Sequence, residues 1–274
     1  MEALSNQVLI HALISGLVAS VACGIIGVIV LEKKIVMLSG GISHTAIGGV
    51  GLGYFFHFPP MLGAVVVSVL TAMGVGRLSR RQSENGDVLI GVFWAVSMAL
   101  GVLLTQLAGK HVEFDTYLFG DIFNITTTQI WLIAGVTVLI LFFFIAFYQP
   151  LKAYLFDEEF AAVQGIRVTL IEMILYVLLG LATISLINMI GFILMIAFYA
   201  APAAMAKKLT KDFKLVVLTT ILLNMFFVIV GLALAYVYPI ASGAAIIFVT
   251  GFVYFLTMLF EFIKKRTARA ENAA

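Results

Sequence analysis

The chain has 274 residues, of which 63% are hydrophobic and 11% charged, against about 25% charged in soluble domains. A formal net charge of +2 is too small to argue for nucleic acid as a partner, and the single cysteine, Cys23, excludes an intrachain disulfide. This is the composition of an integral membrane protein, because about 20 mostly apolar residues cross a hydrocarbon core and such runs recur along the whole length.

The first run, residues 8–31, is too long for a signal sequence, lacks a basic leader and ends in Glu32-Lys33-Lys34, so it reads as a transmembrane helix. A second helix covers 36–56, and Pro59-Pro60 opens a third over 61–78. A polar loop from Arg77 to Asp87 precedes a fourth helix, 88–108, and a longer polar connection, 109–128, precedes a fifth, 129–148. Asp157-Glu158-Glu159 then lead an apolar pattern ended by Gly165, which predicts a short amphipathic helix. The sixth and seventh helices, 168–187 and 190–206, are divided only by Asn188-Met189. An eighth over 215–236 and a ninth over 242–263 follow, then a polar tail, 264–274. The expectation is one all-α polytopic membrane domain, 1–274, of about nine transmembrane helices. Every lysine and arginine except Lys110 falls on one side of this layout, so the positive-inside rule puts the N-terminus outside and the C-terminus inside.

The second helix carries the most pointed pattern. Gly40, His44 and Gly48 share one stripe, and Gly41, Thr45, Gly49 and Gly53 the neighbouring one. Small residues at this spacing let helix backbones approach closely in lipid. An imidazole among them is either a ligand for zinc, copper, iron or nickel, or a group hydrogen-bonded to Ser43 or a neighbouring helix. Zinc takes about four ligands, so further ones must come from other helices, water or a second subunit. In the long polar connection, His111, Glu113 and Asp115 share a face if extended, with Asp121 following. These side chains would attract cations; the plainer reading is a solvated loop. Glu172 reads as snorkelling to the interface, and Asn188 and Asn224 as interhelical hydrogen bonders. No Ser-His-acid set, phosphate-binding loop or HExxH spacing is present. The chain therefore reads as no enzyme, and active transport would draw on an ion gradient or a separate ATPase.

Four segments, in matching order, resemble the permease subunits of ABC importers for zinc, manganese and iron. They are Leu38-Ser39-Gly40-Gly41-Ile42-Ser43-His44, Tyr117-Leu118-Phe119-Gly120-Asp121-Ile122, Asp157 to Ile166, and Ile190-Gly191-Phe192 through Pro202 to Ala204. The resemblance implies a homodimer in a prokaryotic cytoplasmic membrane, two cytoplasmic ATPase subunits that bind ATP, and an extracytoplasmic metal-binding protein. It implies no cofactor on this chain, whose cargo is a divalent metal ion. By position, His44 would contact the metal, and Gly40, Gly41, Ser43 and Gly48 would lie on the pathway helix. Asp157, Glu158, Glu159, Phe160, Ala161, Gly165 and Ile166 would form the cytoplasmic coupling helix. The family commonly has an aspartate where this chain has Gly40, and a proline at Gly48. With imidazole kept and carboxylate missing, the expected metal is zinc, since oxygen ligands favour harder ions. A manganese or iron permease of the same family is one alternative, and an ion-gradient-driven secondary transporter is the alternative from another class.

Overall fold

The computed structural model describes residues 2–81, 86–110, 118–192, 195–238 and 240–271. His111, Glu113 and Asp115 lie outside the described residues, as does the side chain of Asn188. Eleven α-helices follow in order: α1 (Glu2–Glu32), α2 (Val36–Phe56), α3 (Pro60–Arg81), α4 (Gly86–Leu107), α5 (Thr127–Ala146), α6 (Tyr148–Phe156), α7 (Glu158–Val163), α8 (Val168–Ile190), α9 (Met195–Leu209), α10 (Phe213–Val237) and α11 (Ser242–Glu271). A single 3-10 turn, η1 (Ile122–Asn124), precedes α5. Among the described residues there is no strand. Seven helices, α1, α3, α4, α5, α8, α10 and α11, are long and apolar enough to cross a membrane. The other two expected crossings are α2, whose apolar run is diluted by glycine, serine and histidine, and α9, of 15 residues.

Apolar on every side, α1 sits inside the bundle, as a helix of that kind must. It packs against α5, α9 and α10, with Ala12, Ala19, Ala22 and Cys23 almost fully buried. Gly24 meets the backbone of Ile221 and Gly27 that of Tyr199, so α1 lies close to α10 and α9. A second group is built on α2, which packs against α3 and α4, while α8 covers α3. The two groups meet where α8 and α9 touch α2.

Two boundaries differ from the sequence reading. The break after α8 falls at Gly191, not at Asn188-Met189, because Gly191 adopts φ 82° and closes against the backbone of Leu118 and Phe119. A long-range contact, invisible to local pattern, sets that break. The expected polar tail is helical as far as Glu271, since its lysines, arginines and alanines are good helix formers, and Lys208 pairs with Glu261 at 3.0 Å.

Candidate metal pathway around His44

The α2–α4 seam is a parallel pair in close register. Gly41 faces Ile90, His44 faces Trp94, Gly48 faces Ser97 and Gly51 faces Gly101. The last pair brings backbone against backbone, and Ser97 Oγ donates to the Thr45 carbonyl at 3.1 Å. On the other side of α2, Gly49 meets Gly63 and Gly53 meets Pro60 of α3. The small residues thus serve close approach, as their spacing predicts, and the neighbours are two different helices. Gly40 is filled by the side chain of Ile196 and Gly41 by that of Ile90.

His44 is 5% exposed. Its ring stacks on Trp94 with centroids 3.8 Å apart and planes 17° apart, and Phe192 meets it edge-on at 4.7 Å and 72°. Ser43 does not serve the imidazole: its hydroxyl donates to the carbonyls of Gly40 at 2.8 Å, Ser39 at 3.2 Å and Phe192 at 3.4 Å. Nδ1 of His44 has no hydrogen-bond partner among the described residues. Nor do three His, Cys, Asp or Glu side chains gather there as a potential metal site, among those residues. What the chain offers an ion is therefore a buried imidazole held by aromatic rings. Trp94 escaped the sequence reading; the available signal was an indole three residues before Ser97 and seven before Gly101, on the stripe of small residues of its helix.

Three of the four signature segments converge on this point. Gly120, at φ 67°, and Gly191 press their backbones together, and Gly243 abuts Phe119 and Ile190. L-residues rarely adopt such φ values, so glycine is required at both turns. The junction delivers Phe192 to His44. Asp121 beside it is occupied in capping: Oδ1 accepts from Phe123 N at 3.1 Å and from Ser242 Oγ at 3.4 Å, and Oδ2 accepts from Asn124 Nδ2 at 2.7 Å.

At the opposite end, the turn between α1 and α2 borders a cavity of about 190 Å³, lined by Lys33, Lys34, Leu38, Asp87, Tyr154 and Tyr176. His44 stands six residues beyond Leu38, about 9 Å along the helix. Glu172 does not snorkel outward; it is 7% exposed and accepts a 3.0 Å hydrogen bond from Tyr176. Asn224, expected to bond between helices, is fully buried with neither amide atom paired among the described residues.

The remaining segment, Asp157 to Ile166, forms α7. Asp157 caps it by accepting from Phe160 N at 2.9 Å, Glu158 and Glu159 occupy its first turn, where a carboxylate is favoured, and Gly165 ends it at φ 78°. Ala161 is buried and Ile166 packs on the core, whereas Phe160 is 52% exposed beside a groove lined by Phe156, Gln164 and Lys152. Glu158 pairs with Lys33 at 3.3 Å, and the same ammonium donates to the Tyr154 carbonyl at 2.9 Å and lies 3.5 Å from the centroid of the Tyr154 ring. The short helix is thereby tied to the foot of α2.

The profile of the ABC 3 transport family matches residues 5–261. The chain belongs to this family. An uncharacterised membrane protein of Synechocystis sp. is 34% identical, the match covering 95% of this chain and 93% of the relative. The manganese transport system membrane protein MntC of Halalkalibacterium halodurans is 30% identical, over 95% of this chain and 89% of that one. Among solved structures, PsaBC from Streptococcus pneumoniae in complex with Fab superposes with a TM-score of 0.81 at 25% identity, covering 91% of this chain and 90% of that one. This ABC 3 family member is a multi-pass protein of a prokaryotic cell membrane, and its work is transport, not catalysis.

Proposed function

We propose that this chain is the membrane-spanning subunit of an ATP-driven importer of divalent metal ions, with zinc as its cargo. What supports the metal pathway most is His44, a buried imidazole with a free Nδ1 where three signature segments meet. Neutral imidazole without neighbouring carboxylate suits zinc better than a harder ion. Manganese is the second reading, favoured by the relative that bears a manganese transport name. In the mechanism, residues 1–274 act as one domain in a homodimer with nine crossings and the N-terminus outside. An extracytoplasmic binding protein delivers the ion near His111, Glu113, Asp115 and Asp121. The ion meets His44, and the pathway opens toward the basic end when Ile196 leaves the notch of Gly40 and Ile90 that of Gly41. ATP is hydrolysed on cytoplasmic ATPase subunits that dock on Phe160 and the groove beside α7, and their closure reaches α2 through Glu158 and Lys33.

The test is uptake of radioactive zinc and manganese by proteoliposomes holding the complete complex. His44→Ala should lower uptake while the complex stays assembled; parental uptake removes His44 from the pathway. Exchanging Glu159 and Phe160 should uncouple ATP hydrolysis from uptake, and surviving ATPase stimulation would sink the assignment of α7. Uptake driven by an ion gradient with no ATPase present would favour the secondary transporter. Preference for manganese over zinc would transfer the cargo to the second reading.

A further inference from the structure

A metal-binding histidine is usually held by its second ring nitrogen, which donates to a carboxylate or a carbonyl and so fixes both ring orientation and tautomer. His44 lacks that device at Nδ1. What it has is Trp94. The indole lies face to face with the imidazole at 3.8 Å and 17°, and Phe192, itself fully buried, confines the ring edge-on. Trp94 makes no hydrogen bond to the imidazole, because its one donor, Nε1, is given to Met98 Sδ at 3.0 Å. The contact is therefore between ring faces alone.

That geometry has two chemical consequences. The lone pair of an imidazole nitrogen lies in the plane of the ring, so an indole on the face restrains the plane without occupying either nitrogen. An indole face also attracts positive charge. An imidazole that has taken up a metal ion carries part of the ion's charge, so the stack tightens on the occupied ring relative to the empty one. We propose that Trp94 is a positioning residue for His44, holding the imidazole plane for an incoming divalent cation and binding the occupied ring more firmly. This rests on the reading of His44 as a metal ligand. Trp94 takes over the orienting role that an acceptor at the second ring nitrogen usually fills, and the glycine register of α2 and α4 keeps it there.

The chain contains two tryptophans, and the other, Trp131, is 73% exposed. In a Trp131→Phe background, with the full chain assembled on its ATPase in nanodiscs, Trp94 is this subunit's only indole; any tryptophan of the ATPase is subtracted with the Trp94→Phe complex in the same background. Titration with zinc chloride or manganese chloride should change Trp94 emission saturably, and His44→Ala should abolish the change. Measured by equilibrium binding, Trp94→Leu should weaken metal affinity about tenfold, as loss of a ring-orienting partner does, while Trp94→Phe, which keeps an aromatic face, restores most of it. Parental affinity in Trp94→Leu, or Phe no better than Leu, overturns the proposal, as does an emission change that persists without His44. If His44→Ala itself binds and transports metal normally, the pathway reading fails. If His44→Ala fails to bind while Trp94→Leu binds as the parent does, only the role of Trp94 falls.

Discussion

Gly101→Ala tests whether backbone contact between α2 and α4 sets the position of the imidazole. A Cβ on Gly101 would lie 2.7 Å from the carbonyl carbon of Ile47 and 2.9 Å from the nitrogen of Gly48. Both are main-chain atoms, which no rotamer change can move aside. Carbon contacts are comfortable from about 3.5 Å, so the helices must part by roughly 1 Å or bend. Overpacking of this kind costs about 1–3 kcal/mol. Gly91 on the same helix has nothing within 4 Å of the equivalent Cβ, and alanine there gains up to about 1 kcal/mol in helix propensity. The same substitution on one helix thus has opposite expected signs at two positions. Trp94 stands two turns from Gly101, about 10 Å along the axis, so the wedge also loosens the stack on His44. Thermal unfolding in one detergent, with zinc uptake by the reconstituted complex, reads both effects. Gly101→Ala should lower the midpoint by about 2–4 °C per kcal/mol and reduce uptake, whereas Gly91→Ala should match or exceed the parent. A Gly101→Ala protein as stable and active as Gly91→Ala would refute the reasoning.

Other contacts give equally direct expectations. Lys33→Gln removes the ammonium shared by Glu158 and the Tyr154 carbonyl; it should cost about 1–3 kcal/mol and lower uptake per ATP hydrolysed several-fold, and an unchanged ratio in a transport assay would clear Lys33 of any part in coupling. Gly191→Ala meets the backbone of Leu118 and Phe119 and an unfavourable φ of 82° together, so it should destabilise the chain more than Gly101→Ala does when the two are unfolded side by side. Asp157→Ala removes the acceptor of the 2.9 Å bond from Phe160 N; about 0.5–2 kcal/mol of local stability should go with it, seen as faster amide exchange in α7, while exchange in α8 stays as before.

Legibility in the sequence followed the range of the forces involved. Local ones were readable: apolar run length announced the seven helices long and apolar enough to cross a membrane, and the order of acids, apolar residues and Gly165 announced α7. The glycines of α2 declared that a neighbour would come close, but not which one. Gly49 and Gly53 went to the backbone of α3 and Gly48 and Gly51 to that of α4, whereas Gly41 took the side chain of Ile90 and Gly40 that of Ile196. Asp121 shows the limit from the other side. Its charge suggested an attraction for cations, yet the structure occupies its oxygens with Phe123, Asn124 and Ser242, and Ser242 lies far along the chain.

The same limit hid the partner of His44. A residue with a missing neighbour, Gly40 where the family resemblance leads one to expect an aspartate, suggested a weakened metal site when read by itself. With Ile196 in the notch of Gly40 and Trp94 across the ring, the loss of a carboxylate and the presence of an aromatic face become parts of one arrangement. A carboxylate beside the ring would hold the ion through charge whether or not the neighbouring helices move. An imidazole held by stacking binds only as well as the α2–α4 seam holds its register, and the foot of α2 is tied to α7 through Lys33. If His44 ligates the ion as proposed, grip on it is linked mechanically to the helix proposed to feel the ATPase, and separating α4 from α2 would release the ion without a competing charge.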